Sequence, residues 1–121
     1  MGYEHRVYVV SKTSDYDTTL GKYWAEVKCI FNLGKVSELE YIDKAYSGTD
    51  CFIYNDDGDE ILSDMYGEPL TEIPLDSFIA ELRRMVKNGT TSSVFVLLSA
   101  LETIKQHSYA YGNIVCLHYG Y

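Results

Sequence analysis

Cys116 and His118 stand two apart in a β-prone run, so on a strand both side chains would leave the same face. His5, in the opening β-prone run, joins them if the first and last strands pair. A thiol and two imidazoles are the raw material of a zinc site or of a Cys–His nucleophile. Neither chemistry is well supplied. Zinc wants four ligands, and the chain holds no second Cys/His cluster. A Cys–His nucleophile needs direct hydrogen-bond reach, whereas same-face neighbours on a strand lie about 6–7 Å apart at the backbone. Burial within a strand is the plainer reading. A small metal protein or enzyme using His5, Cys116 and His118 is retained as an alternative. His107, near the end of a helical pattern, reads as a polar cap.

The second concentration of chemistry is Cys51 to Leu62, which spells a β-hairpin with Asn55-Asp56-Asp57-Gly58-Asp59-Glu60 at its tip. From Ala45 to Leu82 there is no Lys or Arg, yet ten of the chain's 18 acids fall there. An Asp-rich turn invites a calcium test. With Gly58 at position 6 of an EF-hand loop, Asn55 and Asp57 fall at positions 3 and 5, but Ile53 takes position 1 and Asp64 position 12. The first ligand is missing, so the tip reads as a solvated turn whose carboxylates also discourage edge pairing. Gly-x-Gly-x-x-Gly, Walker-type, His-Glu-x-x-His and Gly-x-Ser-x-Gly patterns are absent, and no cofactor is expected.

Twelve of the 121 residues are Tyr, against four Phe and one Trp. Tyr joins apolar area to a polar tip and is enriched at protein interfaces. Net charge of −8 disfavours a nucleic-acid backbone and an anionic membrane surface alike. It serves solubility, the plainer reading, or suits a basic protein partner, a nucleic-acid-handling one included, because carboxylates can stand in for phosphates and tyrosine rings for stacked bases. Three well-separated cysteines and an opening without a signal-peptide pattern point to free thiols and a cytoplasmic setting. The longest apolar run, Val94 to Leu98, is too short to span a bilayer.

The elements that would position these residues follow from periodicity. Tyr3 to Val10 reads as a strand, with Ser11 to Thr19 a polar loop. Tyr23 to Leu33 alternates, with Tyr23, Ala25, Val27, Cys29, Phe31 and Leu33 on one face, and pairs antiparallel with the first strand. Ser37 to Tyr46 opens on a capping-box spacing and reads as a short helix. The hairpin follows, and Leu70 to Ile73 is irregular. A helix begins at Pro74 with the stripe Leu75, Phe78, Ile79, Leu82, Met85 and Val86, and Gly89 ends it. Thr90 to Ser93 caps a second helix with the stripe Val94, Leu97, Leu98, Leu101 and Ile104. Asn113 to His118 is a final strand, placed inside the sheet beside the first. No internal repeat is evident. The expectation is a single α+β domain over 1–121, order β-β-α-β-β-α-α-β. Its sheet would be mostly antiparallel, of about five strands, with helices on one face.

Three stretches carry a resemblance: Gly2 to Val10, the central Tyr54-Asn55-Asp56-Asp57-Gly58-Asp59 with Tyr66-Gly67-Glu68-Pro69-Leu70, and the closing Val115 to Tyr121. In these the chain resembles small proteins of uncharacterised activity carried by phages and mobile elements of Gram-positive bacteria. The resemblance implies a setting, the host cytoplasm, in which small acidic proteins bind and disable a host factor as anti-CRISPR proteins do. It carries over no catalytic residue. The leading expectation is therefore a non-enzymatic binding protein. Asp56, Asp57, Asp59 and Glu60 would make the electrostatic contacts, with Tyr54 and Tyr66 as anchors. A homo-oligomeric accessory protein is the remaining alternative.

Overall fold

The computed structural model describes residues 4–36, 39, 46, 48–107 and 113–121. These form an α+β fold whose mixed sheet contains β1 (His5–Asp17), β2 (Lys22–Gly34), β3 (Cys51–Tyr54), β4 (Glu60–Ile61), β5 (Thr71–Pro74) and β6 (Ile114–Gly120). The helices are α1 (Leu75–Asn88) and α2 (Ser92–Gln106). The sheet order is β4-β3-β2-β1-β6-β5. All neighbouring pairs are antiparallel except β2 and β3, which run parallel. The expected short helix from Ser37 to Tyr46 lies largely outside the described residues, as do Tyr109 and Tyr111.

The centre is β1. Its first half is too apolar to tolerate water on either side: Val7, Tyr8, Val9 and Val10 are all buried. Both of its neighbours were expected, β2 on one side and β6 on the other. Val7 and Val9 face the helices, packing with Phe78, Ile79, Leu82 and Met85 of α1 and with Val94, Leu97, Leu98 and Leu101 of α2. Those are the helical stripes read from the sequence. Pro74 precedes α1, Gly89 with φ of 89° closes it, and the Thr91 side chain accepts the Val94 N–H to cap α2. Arg83–Glu102 and Lys105–Asp76 ion pairs tie the two helices along their exposed sides.

Tyr8 and Val10 face the other way, into a second core with Ala25, Cys51, Ile53, Leu70 and Leu117. The helices do not supply its cover. Leu70 arrives from the segment after β4, where Ser63 and Pro69 form an isolated bridge and the Met65 N–H donates to the Gly120 carbonyl. The acid-rich stretch thus lies against the sheet with Cys51, Ile53 and Leu70 turned inward, while Met65 and Tyr66 stay exposed.

Three expectations are corrected. The alternation of β2 does not keep one face. Val9 pairs with Cys29 but Val10 with Val27, so Lys28 is an extra residue and the strand bulges there. Ala25 and Val27 consequently join the second core, while Cys29, Phe31 and Leu33 join the first. Residues 11–17, read as loop, continue β1, pairing from Lys12↔Ala25 to Asp17↔Lys22 across another irregularity. Their polarity reflects an end of the hairpin that projects past the core. Thr71 to Ile73, read as irregular, and Pro74, read as the start of a helix, form the edge strand β5 on β6. Only four residues long and ended by proline, it fits the short, proline-marked habit of edge strands. The sheet therefore has six strands rather than about five, and one parallel pairing among otherwise antiparallel neighbours.

Leu70 is fully buried in the second core, with Tyr8, Val10 and Leu117. Leu70→Ala should cost about 2–5 kcal/mol in urea unfolding, the range of buried leucine truncations. A loss below about 1 kcal/mol would show that this segment does not close the second core.

Candidate functional site

The turn between β3 and β4 is built by one side chain. Asn55 Oδ1 accepts the N–H groups of Asp57 and Asp59, each at 2.9 Å. The Asn55 N–H donates to the Asp59 carbonyl and the Gly58 N–H to the Asn55 carbonyl. Gly58 takes φ of 82°, which side-chain-bearing residues adopt rarely. The same set of bonds recurs nine residues on. Asp64 Oδ1 accepts from the Tyr66 and Glu68 N–H groups at 2.8 and 3.0 Å, Asp64 N–H donates to the Glu68 carbonyl, Gly67 N–H donates to the Asp64 carbonyl, and Gly67 has φ of 80°. Asn55-x-x-Gly58-Asp59 and Asp64-x-x-Gly67-Glu68 are thus one turn used twice, a short internal repeat.

Asp56, Asp57, Asp59 and Glu60 are all exposed, and Asp57 and Asp59 join the turn's bonding through their backbone N–H groups rather than their carboxylates. Among the described residues no ion pair reaches any of the four. Tyr54 precedes the turn and is 43% exposed; Tyr66 is on the second turn at 52%. The second turn lies by the end of β6, through the Met65–Gly120 bond, whereas Tyr54, Asn55 and Asp56 lean toward β2 and β1. With Arg6, Tyr8, Val27, Ile30 and Asn32 those three line a cleft of about 380 Å³. Arg6 is held there from three sides. Its Nε donates to Asn32 Oδ1 at 2.7 Å, its Nη1 approaches the Tyr8 hydroxyl at 3.3 Å, and its guanidinium lies 4.5 Å from the Tyr121 ring centroid and 5.5 Å from that of Tyr119. Two of the C-terminal tyrosines thus hold an internal cation.

The strand pairing brings His5 and His118 together as the sequence proposed. His5 Nδ1 and His118 Nε2 are 2.7 Å apart in the buried interior. At that separation one ring donates and the other accepts, so each commits a ring nitrogen to its neighbour. Cys116 is on the same side of β6, but buried to the point where its thiol pKa is pushed far up. Cys29 and Cys116 both register with Val9, on opposite sides of it, and are therefore two strand spacings apart, roughly 9–10 Å and too far to bridge.

Among the described residues, the group of ligating atoms that converges is elsewhere: Asp50, Cys51 and Glu72. Sequence reading missed it because Asp50 and Cys51 come from one segment and Glu72 from another. Its cation is already present, since Lys12 Nζ lies 3.1 Å from Asp50 and 3.3 Å from Glu72. The Thr49 hydroxyl donates to Glu72 at 2.6 Å, and Lys22 Nζ donates to the Thr49 carbonyl at 2.6 Å, around an open cleft of about 780 Å³. Partial burial works against the Lys12 ammonium, but its hydrogen bond to Asp50 and the charge of Glu72 prevail and raise its pKa. The hydrogen bond from Lys12 holds Asp50 below the usual carboxylate value. Burial, then the hydrogen bond to Asp50, pushes the Cys51 thiol up to about 11. A lysine kept charged is no base and a thiol kept protonated is no nucleophile. The cluster is a strut joining β1, the start of β3 and β5.

The same is not true of a second convergence, of Asp15, Tyr16 and Asp17 from β1, Trp24 from β2, and Phe52 and Tyr54 from β3, which enclose about 300 Å³. The clue in the sequence was the Asp15-Tyr16-Asp17 run, hidden by its reading as loop. Comparison with family models, characterised proteins and solved structures finds no match to this chain.

Two substitutions and a labelling experiment test the strut. Lys12→Met should cost about 1 kcal/mol, since the pairs are only partly buried. Asp50 is depressed in the folded state, so its share of stability is complete above the unfolded carboxylate pKa, near 4, and is lost as pH falls through the lower folded value. Lys12→Met should remove that acid-side loss from urea midpoints. Cys51 is raised, so its contribution is complete below the unfolded thiol pKa, about 9, and is lost as pH climbs to about 11. Cys51→Ala should flatten the alkaline slope in that window, and native Cys51 should resist a thiol reagent at pH 8 that modifies it after unfolding.

Proposed function

We propose that this chain is a binding protein whose acidic, tyrosine-bearing face around the β3–β4 turn engages a basic protein. The observation that carries this is the placement of Tyr54. It lines both the cleft of about 380 Å³ toward Arg6 and the cleft of about 300 Å³ toward Trp24, and it leads directly into the four exposed carboxylates. Aromatic anchors in concave ground, flanked by charge of one sign, are the ingredients of an interface in which charge steers encounter and rings hold it. Asn55 and Gly58 build the turn, so the carboxylates are free of structural duty and remain available to a partner.

Charge elsewhere supports the same choice. Asp50, Glu72, Asp76, Glu26 and Glu102 have cationic partners within the fold, while Asp56, Asp57, Asp59 and Glu60 have none among the described residues. Four carboxylates without an ion pair among the described residues therefore stand together at this turn. The resemblance to phage and mobile-element proteins favours a nucleic-acid-handling host protein as the partner and inhibition as the outcome.

The test compares the native chain with the variant Asp56→Asn, Asp57→Asn, Asp59→Asn and Glu60→Gln. Proteins retained from a host lysate by the native chain should be basic, should elute with salt, and should be retained several-fold less by the variant. With a retained protein purified, association should slow and its salt dependence flatten, while urea stability changes by no more than tenths of a kcal/mol. Equal retention by the two forms would remove the turn from the interface.

A further inference from the structure

The cleft bounded by the β1–β2 hairpin end and β3 has a composition that selects its occupant. Trp24 registers with Phe52 on the neighbouring parallel strand, which sets two aromatic side chains in adjacent positions. Phe52 is only 2% exposed, while Tyr16 and Tyr54 are 52% and 43% exposed. Phe52 therefore belongs to the floor and the tyrosines to the walls. Their rings are braced. Phe52 and Tyr54 meet edge to face at 5.3 Å, and Tyr16 meets Tyr23 at 4.9 Å and 66°.

Two carboxylates complete the cleft. Asp17 Oδ1 accepts the Thr19 and Leu20 N–H groups, both at 2.9 Å, which fixes the residue in its turn and leaves Oδ2 outside that bonding. The Thr13 hydroxyl accepts the Asp15 N–H and so steadies the backbone beside it. No ion pair among the described residues neutralises Asp15 or Asp17. Aromatic faces and carboxylates both attract cations, and together they disfavour anions and offer little to a neutral polar group. A volume of about 300 Å³ is at the small end for ligand sites and suits one side-chain head. Among cationic heads, guanidinium is planar, weakly hydrated, stacks on rings and bonds carboxylates with several N–H groups.

We propose that the cleft formed by Asp15, Tyr16, Asp17, Trp24, Phe52 and Tyr54 receives an arginine side chain of the basic partner. The assignment rests on the binding role proposed above and adds a division of labour to it. Exposed carboxylates at the β3–β4 turn govern the rate of encounter, and the cleft governs how long the complex lasts. Tyr54, lining the cleft and leading into the turn, puts both on one surface.

Trp24 is the chain's one tryptophan and lines the cleft, so its fluorescence reports occupancy directly. The probes are the blocked amino acids Nα-acetyl-arginine methylamide and its neutral isostere Nα-acetyl-citrulline methylamide, at constant ionic strength with the intact chain. The arginine probe should produce a saturable change in Trp24 emission, with affinity about tenfold or more above the citrulline probe, the ratio expected when charge and stacking act together. Asp15→Asn with Asp17→Asn keeps an oxygen for the Thr19 and Leu20 N–H groups, and should weaken the arginine probe about threefold or more with unchanged urea stability. Tyr16→Leu should weaken it as well. The quadruple turn variant should bind the probe within about twofold of the native chain, because those carboxylates act at longer range.

Equal response to arginine and citrulline, or arginine binding that survives both cleft variants, overturns the proposal. A blocked lysine probe binding as tightly as the arginine probe overturns the choice of arginine. These readouts need no partner, so their failure is separable from failure of the binding role. Loss of probe selectivity with turn-dependent capture intact removes the cleft alone, whereas probe selectivity with capture indifferent to the turn removes the wider reading.

Discussion

A strand with four consecutive buried residues needs cover on both sides, and β1 is such a strand. Val7 and Val9 are satisfied by two helices whose apolar stripes are plain in the sequence. Among the described residues, neither α1 nor α2 packs on Tyr8 and Val10. The chain covers them with its least suitable segment, one in which acids are dense and basic residues missing. It succeeds by sorting its side chains. Cys51, Ile53 and Leu70 go inward as buried residues, and the carboxylates of the intervening turn go to water, where charge costs least. The acidic turn is therefore fastened to the sheet through the core beneath it. A charged surface on such a support is presented in one orientation.

The helices, the central pairing of β1 with β2 and β6, and the acidic hairpin were legible because each has a local signature: a 3.6-residue stripe, an apolar run, an Asx-Gly turn. The bulge at Lys28 was not. A strict alternation from Tyr23 to Leu33 assigns all its apolar residues to one face, and nothing local says that the register slips by one between Val27 and Cys29. Only the existence of two cores on opposite sides of β1 demands it. β5 escaped notice because four residues ending in proline gain their order from pairing with β6 rather than from their own pattern. Asp15-Tyr16-Asp17 looked like loop because a strand beyond the core loses the apolar alternation by which strands are recognised.

The candidate sites divide the same way. Residues that act from one turn, Asp56 to Glu60, could be named from sequence. The Lys12, Asp50 and Glu72 strut, and the cleft shared by β1, β2 and β3, depend on non-local pairing that no spacing encodes. Even the pair that was foreseen, His5 with His118, required the guess that the first and last strands are neighbours. Its outcome is a mutual hydrogen bond in the interior. Cys116, on the same face, stays a buried thiol. His5, Cys116 and His118 thus ended in the core.

The doubled turn separates two kinds of change that proteins usually find entangled. Its shape depends on an oxygen from Asn55 or Asp64 and on a glycine three residues later. The two positions between them differ completely, Asp56-Asp57 in one copy and Met65-Tyr66 in the other, and the backbone bonding is the same. The fold has in effect already tested those positions with acidic, thioether and aromatic side chains. Such a loop can alter its charge and its rings under selection while the strands behind it stay as they are. A lineage facing a partner that changes its own surface could follow by substitutions at these interior positions, without first acquiring stability elsewhere.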